Sequence, residues 1–191
     1  MTTLATGQIR TDHMHVLTLA HRYKHDSSPR TKQGIVRNVC AALEIHAALE
    51  EEIFYPALEA AGIDTKTAVD TEHGDIHRLV DRLKTMSPSD ADYDETFMSL
   101  IRQVMHHVAD EETILLTEAE RRMGDRLGEI GRAMTRRRME LVKSRAGELA
   151  SSFAQASANK SMLLTGGAVL AGAFLVSRAL SRNGDAQRYQ A

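Results

Sequence analysis

The sequence predicts an all-α protein: an antiparallel up-down-up-down four-helix bundle with a C-terminal helical extension and an apolar, membrane-spanning type of helix. Three observations predict it. The chain is rich in Ala, Leu, Glu, Arg and Met but holds only 4 % aromatic residues and three prolines among 191 residues, a helix-forming composition with little support for sheet. No run alternates polar and apolar residues between turn signals. Four segments with helical periodicity are joined by short connections, the pattern of antiparallel neighbours in a bundle.

The first helix is expected from about Thr11 to His25, stopped where Asp26, Ser27, Ser28 and Pro29 mark a turn. The second is expected from about Thr31 to Ala61, with a kink at Pro56 and an end at Gly62. The third runs from about Asp64 to Met86 and ends at "SPSDAD"; the fourth starts near Tyr93 and continues past Glu120. Residues 1–120 form the bundle on this reading, 121–160 a basic amphipathic helical linker, 161–180 an apolar membrane anchor and 181–191 a polar tail.

Charge divides the chain at the same place. Residues 1–120 carry 11 Lys and Arg against 21 Asp and Glu, whereas residues 121–191 carry 13 against 5. All nine histidines lie between His13 and His107. The basic stretch has an apolar stripe at Met123, Leu127, Ile130, Met134 and Leu141. It has no interleaved aromatics and no nucleic-acid-binding module, so nucleic acid is not an expected partner. The single cysteine, Cys40, excludes an internal disulfide and reads as a small buried residue.

The chemistry lies in a repeat. "HAALEEEIFYPAL" and "HVADEETILL" both carry His-xxx-Glu, and they align at an offset of 61 residues. "DHMHVLTLAHRYK" and "EHGDIHRLVDRLK" align at an offset of 60, pairing His13 with His73. Helices one and two thus repeat as helices three and four. Residues four apart share a helix face, so His46 projects with Glu50, His107 with Glu111, and His73 with His77. Directed inward, five imidazoles and two carboxylates would be costly to bury except around cations. Without thiolates, a Cys-type zinc site is excluded. Imidazole and carboxylate donors suit iron, zinc, copper or manganese, seven donors suit two ions, and carboxylate-bridged pairs in bundles favour di-iron.

The order DH…HxxxE…HxxxH…HxxxE on four helices resembles hemerythrin and the bacterial hemerythrin-like (HHE cation-binding) domains, over about residues 10–120. The resemblance implies two iron ions joined by an oxo or hydroxo bridge. His13, His46, His73, His77 and His107 would be terminal ligands, and Glu50 and Glu111 would bridge. Such a set keeps one coordination position open for O2, NO or peroxide. The implied function is binding or sensing of a small diatomic ligand; the alternatives are a redox enzyme acting on hydrogen peroxide or NO, an iron store, and a helical interaction protein without metal. The sequence departs from the oxygen carriers, whose last carboxylate is an Asp five residues after its histidine; here Glu111 stands four after His107 and Glu112 five after. Tyr55 reads as a packed core aromatic, with metal ligation as the competing role. Glu51, Glu52 and Glu112 are expected to face solvent, and His15, His21, His25 and His106 to be solvated or structural, His106 being a competitor of His107.

The segment Ser161–Ser177 has no charge and is flanked by Lys160 and Arg178. As a helix it would span ~25 Å, slightly less than a hydrocarbon core of ~30 Å, and the two cations extend its reach by snorkelling. With the preceding basic stretch this predicts membrane association with the bundle on the cytoplasmic side; the competing role is a soluble apolar helix that docks on the bundle or mediates self-association. The N-terminal stretch lacks the apolar core of a secretory signal, which agrees with that side.

Overall fold

A computed structural model describes residues 4–65 and 73–156. The elements formed by the described residues are all helices, without strands. Helix α1 spans Ala5–Ala20 and α2 spans Pro29–Leu49; α2 passes through a π-helical turn, Glu50–Phe54, into α3, Tyr55–Ala60. Helix α4 spans Gly74–Thr85. Helix α5, Tyr93–Asp110, passes through a second π-helical turn, Glu111–Leu115, into α6, Leu116–Met123, and α7 spans Arg126–Ala156.

Local chemistry explains several boundaries. Ser28 caps α2, accepting a hydrogen bond from the Thr31 N–H at 3.2 Å, with Pro29 at the first helical position. Gly62, at φ 72°, takes the left-handed conformation that ends α3. Helix α1 starts earlier than periodicity suggests because Ala5 and Ile9, both fully buried, pack with residues of α7. Pro56 sits inside α3, and the hydrogen-bond register shifts ahead of it: the Tyr55 N–H reaches Glu50 O. The second π turn has no proline, yet the Leu116 N–H reaches Glu111 O in the same way. The two turns lie 61 residues apart, so the duplication is present in the backbone as well as in the sequence.

Helix α1 packs on α2 and α5, and α4 packs on α2 and α5, closing a ring of four. Two apolar clusters fill it. One holds Ile9, Ile45, Leu49, Phe54, Leu58 and Leu116; the other holds Val16, Val39, Leu43, Ile76, Phe97 and Val104. Along α1 the chain passes from the first cluster to the second, along α2 from the second to the first, and from α5 in the second through the π turn into α6 in the first. The up-down order follows, and His13, His46 and His107 fall at the level where the clusters meet.

The basic segment expected to be a linker forms α7, which packs against α2 and α1. Leu127, Ile130, Met134 and Val142 are buried in the first cluster. Its guanidinium groups reach across: Arg138 to Asp12, Arg137 to Glu52, and Arg145 to Glu44. A stripe of apolar residues on a basic helix is here a docking face on an acidic bundle. Among the described residues no helix is long and apolar enough to cross a membrane. The expected anchor, 161–180, and the tail, 181–191, lie outside the described residues.

Candidate metal centre

Each half of the repeat contributes a histidine and a glutamate one turn later, and the π turn begins at the glutamate. A π turn widens the helix and is common where a side chain must be re-aimed toward a site. Glu50 and Glu111 thereby point into the bundle, with side chains fully buried. His13 comes from α1, His46 from α2, His107 from α5, and His73 from the residue that precedes α4; all four are buried.

Ligand atoms of His13, His46, Glu50, His107 and Glu111 all lie within 4.8 Å of one another. Nε2 of His46 and Nε2 of His73 each stand 3.3 Å from Glu50 Oε2. His13 Nε2 stands 3.2 Å from Glu111 Oε2, and His107 Nε2 lies 4.0 Å from Glu50 and 3.9 Å from Glu111. His77 stands apart: its Nε2 is 2.9 Å from Glu51 Oε1, at a mouth where its side chain is 44 % exposed.

Outer carboxylates set the direction of the imidazoles. His13 Nδ1 donates to Glu112 Oε1 at 2.8 Å, and His73 Nδ1 donates to Glu51 Oε1 at 2.8 Å. Both rings then turn an Nε2 lone pair inward, toward another acceptor. This corrects the expectation that Glu51 and Glu112 only face solvent; of the three extra acids, Glu52 pairs instead with Arg137. The outer acids had a signal in the sequence: both repeat copies read HxxxEE, and Glu51 and Glu112 are themselves 61 apart. Tyr55 is also more than packing. Its hydroxyl lies 3.3 Å from Glu50 Oε2, 3.2 Å from Glu111 Oε1 and 3.2 Å from His73 Nε2. The remaining histidines stay out of the cluster: His25 and His106 are exposed and lie near Asp94 and Asp110.

The electrostatics are those of a site short of positive charge. Burial, then the neighbouring Glu111 charge, raises the Glu50 carboxyl well above the ordinary range. Burial pushes Glu111 up as well, but His13, His107 and His46 overcome it and hold that carboxyl low. Burial depresses His107 to about 3 and lowers His73. Burial, then Glu50 and Glu111, raises the Tyr55 hydroxyl.

The residues fit a metal. His13 Nε2, His46 Nε2, Glu50 Oε1 and Glu111 Oε2 are buried without a hydrogen bond, and a group left so costs roughly 1–3 kcal/mol. Facing acceptors in a dry core call for a cation between them, and imidazole with carboxylate is a donor set for transition metals. Behind the cluster a small cavity, with about 10 Å³ for the centre of a water-sized molecule, is bounded by the histidines and by Val16, Leu43, Ile76, Val104 and Val108.

Comparison with known proteins agrees. Residues 4–119 match the hemerythrin HHE cation binding domain. A protein of Nostoc sp. (strain PCC 7120 / SAG 25.82 / UTEX 2576) named DNA nickase is 31 % identical over 109 residues, a match covering 56 % of this chain and 31 % of that relative. The chain thus spans under a third of that relative's length. No solved structure matches. With a match that runs through all four helices of the bundle and contains the whole His/Glu cluster, the chain belongs to the hemerythrin HHE cation-binding family.

Proposed function

We propose that this protein holds a non-haem di-iron centre and binds or senses a small diatomic ligand, O2 or NO, at one open coordination position. The observation that carries the reading is the pairing of the buried, hydrogen-bond-deficient His/Glu cluster with an adjoining cavity whose other wall is valine, leucine and isoleucine. Such a cavity has room for about one water-sized molecule beside the cluster, which favours a ligand of very few atoms. His13, His46, His73, His107, Glu50 and Glu111 would hold the metal, with Tyr55 and His77 as the adjacent donors. Iron there supplies redox chemistry and an exchangeable position. This chain's residues supply four buried imidazoles, a dry surround and a proton held at the Tyr55 hydroxyl.

A hydroxyl at that position favours a second reading, decomposition of hydrogen peroxide, because Tyr55 could pass a proton to the oxygen that leaves when one peroxide is reduced and regain it when a second is oxidised to O2. From the DNA nickase we take nothing of strand cleavage, since the match covers 31 % of that protein. We further propose that the uncharged segment Ser161–Ser177 holds the bundle at the cytoplasmic face of a membrane.

The test is an optical titration of the iron-loaded full chain. Ligand binding predicts a spectral change with O2 or NO that saturates, reverses on purging and is accompanied by no turnover. Peroxide decomposition predicts sustained oxygen evolution from hydrogen peroxide that is lost in Glu111→Ala. A spectrum indifferent to all three reagents refutes both.

A further inference from the structure

The three imidazoles with a defined outer neighbour are not backed alike. His13 and His73 each donate to a carboxylate at 2.8 Å, from Glu112 and Glu51, side chains that are 34 % and 37 % exposed. Behind His46 stands Asp12. Its Oδ2 lies 3.7 Å from His46 Nδ1, the ring nitrogen that faces away from Glu50, close enough for charge to act but beyond hydrogen-bond distance, and that nitrogen is buried without a hydrogen bond. Asp12 does not choose this position alone. Arg138 of α7 holds both of its oxygens, Nη1 to Oδ1 at 2.9 Å and Nη2 to Oδ2 at 2.5 Å, a bidentate pair with Asp12 16 % exposed. The neighbouring contacts fix α7 at this point: Gln8 of α1 donates to Gly131 O at 2.8 Å, and Met134 is fully buried one turn before Arg138.

Arg138 lies outside the segment that matches the family, which ends at residue 119. One of the outer carboxylates of the metal cluster is therefore positioned by an added helix. We propose that Arg138 is a positioning residue of the metal centre: it holds the Asp12 carboxylate facing the outer nitrogen of His46, as the acceptor that ring meets when its inner nitrogen ligates metal, so that docking of α7 and occupancy of the site favour each other. The proposal rests on the metal-binding reading above. Carboxylates behind metal-bound histidines orient the ring, and their loss typically costs 10–100-fold in metal affinity. Removing the guanidinium leaves a mostly buried carboxylate without its cation, free to leave its place. Linkage then requires the reverse effect: metal must stabilise the docked state of α7 by the same factor.

Arg145 provides the control. It also ties α7 to the bundle, through Glu44 at 2.8 Å and with similar burial, and the other ion-pair partner of Glu44 is Lys84, not one of the clustered histidines. The experiment measures ferrous iron affinity of the full chain without oxygen, by competition with a chromophoric chelator, for wild type, Arg138→Gln, Arg138→Lys and Arg145→Gln. The expectation is a loss of about tenfold or more in Arg138→Gln, in the range for such outer partners. Arg138→Lys falls between it and wild type, and Arg145→Gln stays at wild-type affinity. Hydrogen exchange supplies the reciprocal readout: iron slows exchange of α7 amides in wild type and not in Arg138→Gln. If Arg138→Gln does not fold, Arg138→Lys decides by the same two readouts. Equal affinity in Arg138→Gln and wild type overturns the proposal, as does an equal loss in Arg145→Gln, which would make α7 a generic stabiliser. Wild-type protein that takes up no iron sinks the metal reading itself, a result distinct from both.

Discussion

Cutting the chain where the family match ends should remove part of the core rather than a linker. Leu127, Ile130, Met134 and Val142 are between 0 and 9 % exposed and pack in the cluster that contains Ile9, Ile45, Leu49 and Phe54. Burying a side chain of this kind contributes ~1.5–3 kcal/mol, so the four together contribute roughly 6–12 kcal/mol, an upper bound because a denatured chain already hides some apolar surface. Domains are stable by only about 5–15 kcal/mol in all. A chain ending at Met123 should therefore show little or no cooperative unfolding in urea followed by circular dichroism, whereas a chain ending at Ala156 should give one sharp transition. Met134→Ala in the longer chain should cost ~2–5 kcal/mol and move the midpoint without changing the slope. If the chain ending at Met123 unfolds with the same midpoint as the longer one, α7 is not part of the core and the packing argument is wrong.

Other consequences follow from the same contacts. Val104→Phe should fill the apolar wall of the cavity, at a cost of ~1–3 kcal/mol from overpacking, and should abolish the optical response to O2 and NO while iron content stays at wild-type level; loss of both together would argue against a separate ligand cavity. Cys40 is 3 % exposed, and burial pushes its thiol up to about 12, so iodoacetamide at pH 8 should label it in urea but not in the native protein, a difference read by mass spectrometry. In metal-free protein the raised Glu50 carboxyl makes its contribution to stability complete below the unfolded value near 4.5 and progressively lost as pH rises through the folded value. Glu50→Gln should flatten that decline above the unfolded value near 4.5 in thermal melts, and a parallel decline in both proteins would contradict the assignment. Full-length protein should fractionate with membranes and a chain ending at Ala156 should not; equal distribution would remove the case for an anchor in Ser161–Ser177.

Much of the bundle was legible because helical periodicity, Ser28-Pro29 and Gly62 are local signals. The repeat also carried the inner cluster, since two His-xxx-Glu copies on separate helices make sense only when they face each other. What escaped was set by tertiary contacts. Nothing in "EEEIF" or "EETIL" announces a π turn, because the wider turn is stabilised by where Glu50 and Glu111 end up, not by any propensity of those residues. Glu51 and Glu112 read as solvated acids since each next residue on a helix turns about 100° away from its predecessor; the π turns bring them behind histidines of the opposite repeat half. Tyr55, read as a packed core aromatic with metal ligation as the competing role, is buried with its hydroxyl against Glu50, Glu111 and His73. His77, expected in the cage from its spacing to His73, is more exposed than the rest and forms with His73 and Glu51 a second group whose ligand atoms lie within 4.8 Å of one another. Helix α7 was the largest revision. Its charge suggested a separate basic element, whereas opposite charge on Asp12, Glu44 and Glu52 makes it part of the bundle.

The most direct measurement is the metal content of the full chain purified without chelators, by elemental analysis, beside His46→Ala and Glu111→Ala prepared in the same way. A shared His/Glu cage predicts about two irons per chain in wild type, as for carboxylate-bridged pairs in helical bundles, and a sharp loss in both variants. Wild-type protein free of transition metal after growth with ample iron, or variants that keep the wild-type stoichiometry, would contradict it.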